Sequence, residues 1–176
     1  IITAASLLAG VTDVDGQALS ITSVDLASGI GVLVNNGNGT WTYTPAADST
    51  APVSFNYIAS DGSLSASSTA SLTLAPVNDA PVAVADTLSA TEDTAVTYTA
   101  AQLLGNDTDV DNSNGQLSIA SVTSGTGGTA VLNANGTVTF TPNSSFSGAA
   151  SFTYTVSDGA STSSPATVTV NVAPVN

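Results

Sequence analysis

The chain contains no lysine, arginine or histidine, although it carries 13 acidic residues, so its formal net charge is −13. Without basic side chains the surface cannot neutralise phosphates, which excludes nucleic-acid binding, and anionic membranes would repel the chain. Salt bridges between side chains cannot form either. Each carboxylate must therefore be hydrated, hydrogen-bonded or bound to a cation, and a fold that gathers carboxylates in one place needs a metal ion.

Cysteine is also absent, which excludes a disulfide framework. In a secreted module, a metal ion is then the expected stabilising cross-link. No apolar run approaches the ~18 residues of a membrane span, and no signal peptide is recognisable. We therefore expect a segment of a longer extracellular polypeptide. Aromatic residues make up 5% of the chain and hydrophobic residues 42%, so a core of Val, Leu, Ile and Ala is predicted.

The chain contains one module nearly twice, with matching segments about 97 residues apart. Residues 38–45 (NGTWTYTP) correspond to residues 135–142 (NGTVTFTP), and residues 12–15 (TDVD) correspond to residues 108–111 (TDVD). The spacing drifts by one or two residues, as loop insertions would make it. The sequence therefore predicts a tandem duplication.

Apolar residues alternate with Ser or Thr in both copies, as in Val168, Val170 and Val172, which is typical of half-buried strands. Asn-Gly pairs at 38–39 and 135–136 predict hairpin turns. Short helices of a turn or two are expected only in residues 4–8 and their copy. With about seven strands counted in the complete second copy, we predict an all-β fold of two tandem Greek-key β-sandwiches.

The most metal-like motif contains Asp107, Asp109 and Asp111. Alternate residues of an extended segment point the same way, so the three carboxylates could converge on one point. Oxygen ligands without His or Cys select a hard cation, and Ca²⁺ accepts the irregular ligands that a loop supplies. The motif is not an EF-hand loop, because Asn112 and Ser118 stand where that loop requires Gly and Glu. Acids that cap a solvent-facing turn are the alternative.

Three further acids are candidate ligands. Asp158 lies in a Ser-Asp-Gly turn, and Asp61 holds the equivalent position in the first copy. A plain Asx turn is the alternative explanation for both. Glu92 is the chain's only glutamate, and its longer reach would suit a bidentate ligand, although a solvated sheet edge fits it nearly as well.

A proline-bounded segment joins the two copies. Pro76 and Pro81 stiffen it, and Asn78 and Asp79 lie at its centre. The letters APVN of this segment recur at the C-terminus, as expected of a junction between repeats. Its Asn and Asp oxygens can supply half of a cation site.

In order and spacing, these motifs resemble the extracellular repeats of cadherins, and more closely the cadherin-like tandem repeats of large bacterial surface adhesins of the repeats-in-toxin type. Those repeats carry a glutamate near the end of the first strand, an Asp-x-Asp loop, an Asp-bearing turn, and an Asp-x-Asn-Asp-Asn linker before a proline. The counterparts here are Glu92, Asp109 with Asp111, Asp158, and residues 78–81 (NDAP).

The resemblance implies a cadherin-like, immunoglobulin-like sandwich in each copy. Residues 1–77 would be a repeat lacking its first strand, 78–81 a calcium-binding linker, and 82–176 a complete repeat with the start of the next linker. It also implies a calcium-stiffened spacer at the cell surface, whose partners are the neighbouring repeats of the same polypeptide. The expected metal ligands are Asn78, Asp79, Asp109, Asp111 and Asp158, with Asp107, Glu92, Asp13, Asp15 and Asp61 as further members.

Two departures from the family pattern reduce the expected number of ions per junction. The acidic pair that cadherins carry late in the repeat has no counterpart, and Pro76 stands where the linker's first Asp would fall. In the first copy, Val11 replaces Asp107, so that site keeps only three acids.

Catalysis is not expected, because no His, Lys or Cys can activate the abundant Ser and Thr hydroxyls. A carboxylate pair could hydrolyse glycosides, but Asp109 and Asp111 are better explained as ligands. Calcium-dependent carbohydrate binding is a second alternative, with Trp41 and Tyr43 as a stacking platform. Their alternating strand favours a core position instead.

Ile1 aligns with Thr97, so the first copy lacks the counterpart of residues 81–96. That segment is predicted to contain the first strand, Val82 to Leu88. Without it, the first sandwich has an unpaired strand edge. Either the natural chain supplies the strand, or another copy of the chain does so, as in strand-donating filaments.

Overall fold

The computed structural model describes residues 1–175, and Asn176, the last residue of the repeated APVN motif, lies outside the described residues. The chain divides into two compact units, Ile1–Val77 and Asn78–Asn176, called here the first and second unit. Almost all regular structure is β-strand, which confirms the all-β prediction. Within the described residues, no helix is long and apolar enough to cross a membrane.

The first unit consists of two three-stranded antiparallel sheets. Its elements are β1 (Ile2–Thr3), α1 (Ala4–Leu7), β2 (Ser20–Ser28), β3 (Gly31–Asn35), β4 (Thr40–Pro45), β5 (Val53–Ser60) and β6 (Ser65–Leu72). The strand orders are β1-β4-β3 and β2-β5-β6. In the Thr3–Ser6 capping box, Thr3 Oγ1 accepts the Ser6 backbone N–H at 3.0 Å, which explains why the predicted short helix begins at Ala4.

The second unit has seven strands in two sheets, the number predicted for a complete repeat. Its elements are β7 (Asp86–Thr91), β8 (Val96–Tyr98), α2 (Ala100–Leu104), a 3-10 turn (Asn114–Gln116), β9 (Ser118–Ser124), β10 (Gly128–Leu132), β11 (Val138–Pro142), β12 (Gly148–Ser157) and β13 (Ala166–Ala173). The strand orders are β10-β11-β8 and β7-β13-β12-β9. β7 pairs with β13 in parallel, whereas the other pairs are antiparallel.

Both predicted Asn-Gly hairpin turns are confirmed. Gly39 (φ 76°) lies between β3 and β4, and Gly136 (φ 80°) lies between β10 and β11. These positive φ angles are accessible to glycine without the penalty that a Cβ atom would bring. The turns therefore set the register of the two hairpins.

The scarce aromatic residues lie in the cores rather than on the surface. In the second unit, Phe152 is fully buried, and its ring centroid lies 6.0 Å from Phe140 and 6.4 Å from Tyr98. In the first unit, Trp41 is 4% exposed and packs in the core, so it offers no open platform for sugar stacking. The core of Val, Leu, Ile and Ala predicted from composition is thus completed at its centre by the few aromatic rings, which fill the space between the sheets.

β7 begins later than the strand Val82 to Leu88 predicted from the sequence. Val82 instead forms an isolated antiparallel bridge with Thr108, and the Val84 backbone N–H donates to Asp107 Oδ1 at 2.7 Å. Because these groups are bonded to the following loop, the ladder with β13 starts only at β7 itself.

The two units differ at one sheet edge. β13 lies between β12 and β7, whereas its counterpart β6 pairs with β5 and, among the described residues, with no second strand. Residues 1–8 do not close that edge, because β1 pairs with β4 in the other sheet. The first unit is therefore a sandwich with one uncovered edge.

Candidate metal centre

The linker residue Asn78 is bonded to the turn that carries Asp158. Asn78 Nδ2 donates to Asp158 Oδ2 at 2.8 Å, to Ser161 Oγ at 3.1 Å and to the Asp79 carbonyl oxygen at 2.8 Å. Asp158 directly follows β12, so a rigid strand presents its carboxylate to the linker. The structure thus joins two of the predicted ligands, which are 80 residues apart in sequence.

Asp79 is bonded to the other predicted half of the site. Its backbone N–H donates to Asp111 Oδ2 at 2.7 Å. The carboxylates of Asp79 and Asp111 both belong to exposed residues. They are therefore accessible to an ion from solution.

Asp109 is held within its loop by one carboxylate oxygen. Its Oδ1 accepts the backbone N–H groups of Asp111 at 2.8 Å and Asn112 at 2.7 Å. Its Oδ2 is buried and has no hydrogen-bond partner within the described residues. A buried carboxylate oxygen without a donor is costly, and in a chain without basic side chains the compensating charge is a cation. The donor set therefore fits a hard metal ion.

Asp158 is also the hydrogen-bond acceptor of a tight turn, as the alternative Asx-turn explanation predicts. Its Oδ1 accepts the backbone N–H groups of Ala160 at 2.7 Å and Ser161 at 2.6 Å. The Ser161 N–H, followed by the Asn78 amide and the Ala160 N–H, holds the pKa of Asp158 below its usual value. The group therefore remains ionised, as a metal ligand must be.

Asp107 does not share the orientation of Asp109 and Asp111, contrary to the alternation argument. It is 1% exposed, and both its carboxylate oxygens lie 3.1 Å from the Tyr154 hydroxyl in the core. The backbone bends at residues 110–112, so the segment is not extended throughout. Burial raises the pKa of Asp107. Asp107 therefore faces the core, and its role as a metal ligand stays a prediction.

Sequence reasoning did not single out Tyr154 and Asp86. The Tyr154 hydroxyl donor lies 3.0 Å from Asp86 Oδ2, and burial raises the pKa of both groups. Alternation places Tyr154 in the core, but it says nothing of the partner of its hydroxyl. The available signal was that an acid, Asp86, lies in a segment predicted to be a strand.

Glu92 lies at the opposite end of the sheet from Asp158. Its backbone N–H donates to the Ala173 carbonyl oxygen at 2.9 Å, at the C-terminal end of β13. Glu92 is therefore not brought together with Asn78, Asp109 and the other linker-side acids. Its position beside the second APVN segment fits a ligand for the following junction, which remains a prediction.

The first-unit acids form local turns. Asp13 Oδ1 accepts the Asp15 backbone N–H at 2.8 Å, and Asp61 Oδ1 accepts those of Ser63 and Leu64 at 2.6 Å each. The Leu64 and Ser63 N–H groups hold the pKa of Asp61 below its usual value. Asp13 and Asp61 also line one cavity of about 310 Å³.

Within residues 1–175, no three acidic side chains form a complete metal cluster by themselves. Asp158 and Asp111 are instead connected through the linker, by bonds from Asn78 and from the Asp79 backbone. Calcium sites in loops commonly complete their coordination with carbonyl oxygens and water.

A model of the family described as cadherin-like domain matches residues 1–75 and 77–173. Human protocadherin-24 EC1-2 is 16% identical over 93% of this chain and 86% of its own, with a TM-score of 0.57, which shows the fold. The protocadherin gamma B4 extracellular domain is 19% identical over 92% of this chain and 28% of its own, with a TM-score of 0.47.

Endo-fucoidan hydrolase MfFcnA4 from glycoside hydrolase family 107 is 26% identical over 92% of this chain, with a TM-score of 0.41. The chain spans 24% of that enzyme's length. No curated protein matches the chain.

Proposed function

Because the chain belongs to the family of cadherin-like domains, which are extracellular and non-enzymatic, we propose that it is a calcium-stiffened spacer of a large bacterial cell-surface adhesin. Adhesion and spacing suit tandem repeats of this family. The bacterial adhesin assignment is supported by the resemblance in motif order and spacing. The absence of Lys, Arg, His and Cys leaves metal binding as the available cross-link.

The observation that carries the calcium proposal is the buried Oδ2 of Asp109, which lacks a hydrogen-bond donor. Asn78, Asp79, Asp109, Asp111 and Asp158 would hold the ion. When bound, Ca²⁺ supplies the positive charge that this part of the chain lacks. Oxygen donors of this kind are the ligands that Ca²⁺ prefers.

The linker's contacts give the mechanical part of the proposal. The Asp79 N–H is bonded to Asp111, and Val82 exchanges two backbone hydrogen bonds with Thr108, at 2.8 and 3.1 Å. An ion bound by the same residues would hold residues 78–84 against the loop. Pro81 restricts the remaining freedom of this segment. The spacer would then be flexible without calcium and stiff with it.

Calorimetric titration of the full chain with Ca²⁺ tests this proposal. Extracellular calcium modules bind with Kd of about 10⁻⁴ to 10⁻³ M, and at tenfold Kd a site stabilises the folded state by about 1.4 kcal/mol. Asp111→Ala should remove both the binding heat and the stabilisation. An unchanged melting temperature after chelation would contradict calcium binding.

The first unit provides the matched control, because Asp15 holds the sequence position of Asp111. Asp15→Ala removes the same charge from the same motif. This variant should leave the proposed Ca²⁺ site of the second unit intact, since the linker residue Asp79 donates its backbone N–H to Asp111. Equal loss of Ca²⁺ binding in the two variants would contradict the placement of the site at Asp111.

The uncovered edge of β6 fits a strand like β7, supplied either by the natural chain or by another copy of the chain, and strand addition by another copy is the second candidate function. Another copy of the chain would supply a strand like β7. Backbone hydrogen bonds along the edge and apolar pockets between side chains would then hold it.

A further inference from the structure

The Tyr154 hydroxyl is surrounded by more acceptors than it has protons. It is 1% exposed and lies 2.9 to 3.1 Å from five oxygens. These are the Val84 and Leu103 carbonyl oxygens, Asp86 Oδ2, and both carboxylate oxygens of Asp107. A hydroxyl carries a single proton, so this arrangement exceeds what satisfying a buried tyrosine requires.

The five oxygens belong to the segments that lead into the candidate metal centre. Val84 and Asp86 follow the linker, Leu103 lies in the last turn of α2, and Asp107 begins the loop that carries Asp109. Asp107 also accepts the Val84 backbone N–H. The segment after the linker, the acidic loop and β12 therefore contact one another through Val84, Asp107 and Tyr154. The hydroxyl therefore lies where the linker and the acidic loop are attached to each other.

The strand that carries Tyr154 also carries a candidate ligand. β12 ends at Ser157, and Asp158 follows directly. Tyr154 and Asp158 are thus four positions apart on one strand and its turn. A shift of the loop relative to β12 would change the distance between Asp158 and the Asp109–Asp111 segment.

The first unit has the equivalent tyrosine without a carboxylate at the position of Asp107. Tyr57 occupies the same position in β5 and is 7% exposed. Val11 stands in place of Asp107. A buried ring at this position therefore packs without a carboxylate at the position of Asp107.

We infer that the Tyr154 hydroxyl, together with Asp107, is the positioning device of the calcium site and sets its affinity without touching the ion. This inference rests on the calcium site proposed above. Outer-shell groups that orient metal ligands typically change the metal affinity by about 10- to 100-fold when they are removed. We therefore expect at least a tenfold weaker Ca²⁺ affinity when the hydroxyl is lost.

The test compares Tyr154→Phe with Tyr57→Phe in the full chain, by calorimetric titration with Ca²⁺. Tyr154→Phe should raise Kd at least tenfold, and Tyr57→Phe should leave it unchanged. Val170→Ala shortens a fully buried side chain of β13 and controls for general destabilisation of the same unit. Equal affinity in Tyr154→Phe and the wild type, or an equal loss in Val170→Ala, would overturn the inference.

A second readout works without calcium. In chelator, amide hydrogen exchange at residues 79–84 and 107–111 should be faster in Tyr154→Phe than in Val170→Ala, because the hydroxyl joins these segments. If the wild type binds no Ca²⁺, the proposed function fails, and this inference fails with it. If the wild type binds Ca²⁺ but exchange at these residues does not change, only the positioning role is overturned.

Asp107→Val keeps the test decisive should Tyr154→Phe not fold. The first unit folds with Val11 at the equivalent position, so the fold tolerates this side chain. The variant should weaken Ca²⁺ binding at least tenfold as well. Wild-type affinity in Asp107→Val would overturn the inference.

Discussion

The two units apply the same strand pattern to different neighbours. In β13, Val168, Val170 and Val172 are 0 to 4% exposed, because β7 and the core cover them. In the first unit, Leu72, which matches Val170 in the repeat, is 39% exposed at the uncovered edge of β6. The alternation of apolar residues therefore specifies which face could be buried, whereas burial itself depends on the adjacent strand.

The loops show the same principle for polar residues. Asp107 is buried against Tyr154, whereas Val11 is its counterpart beside a cavity lined by Asp13 and Asp61. The second unit thus attaches its acidic loop to the core and to the linker. In the first unit, Val11 leaves the motif without the carboxylate that joins the acidic loop to the core.

The largest expected difference concerns the cores. Phe152→Ala leaves a sealed cavity between two aromatic neighbours, and should cost the second unit about 3–5 kcal/mol of its free energy of unfolding. Phe55→Ala should cost the first unit less, because Phe55 already lines an open cavity of about 330 Å³ that water can enter. Urea denaturation measures both.

Trp41, the only tryptophan, reports unfolding of the first unit by fluorescence. Hydrogen exchange of the β12 amides reports the second unit. Equal losses in the two variants would mean that the uncovered edge does not weaken the first core.

A smaller effect is expected from filling the edge of β6. A peptide with the sequence of residues 82–91 should slow hydrogen exchange along β6 and, at tenfold its Kd, stabilise the first unit by about 1.4 kcal/mol. The register is that of β7 on β13, where Leu88 pairs with Val170. The control peptide carries Leu88→Asp, which removes the apolar anchor. Unchanged exchange at saturating peptide would argue against strand addition.

The smallest expected effect is a difference in pH dependence, measured in chelator. Burial raises the pKa of Asp86 and Asp107 above the usual 3.8. A carboxyl with a raised folded-state pKa contributes stability that is complete below about pH 4 and is lost as the pH rises through that pKa. The second unit should therefore lose stability relative to the first as the pH rises above about 4.

In the first unit, Val11 stands in place of Asp107, and the lowered pKa of Asp61 acts in the opposite direction. Its contribution is lost on acidification, as is that of Asp158 in the second unit. Urea titrations of the wild type and Asp107→Asn at several pH values isolate the buried pair. A pH profile that is unaffected by Asp107→Asn would show that the buried pair does not cause the dependence.

Local signals in the sequence were sufficient for much of the fold. Both Asn-Gly turns, the two short helices and the core position of Trp41 follow from spacing and alternation alone. Asn78, Asp111 and Asp158 were predicted to lie together. In the structure Asn78 donates to Asp158, and the backbone of the next linker residue, Asp79, donates to Asp111. Their role as metal ligands stays a prediction.

Other features could not be read from the sequence because they depend on contacts between distant segments. Alternation assumed that Asp107 faces the same way as Asp109 and Asp111, but Asp107 is bound by the Tyr154 hydroxyl and the Val84 N–H, and the chain bends at residues 110–112. The start of β7 was misplaced because Val84 donates to Asp107, 23 residues away.

By itself the sequence determined the duplication, the strand period and a charge distribution in which no carboxylate can find a basic partner. These are local or compositional properties, and they hold in any conformation of the chain. Only the tertiary structure decided that Asp107 faces Tyr154, that Asp109 keeps an unpartnered buried oxygen, and that Glu92 lies at the other end of the sheet. The physical reason is that the direction of a side chain depends on backbone bends and on partners brought together from distant positions.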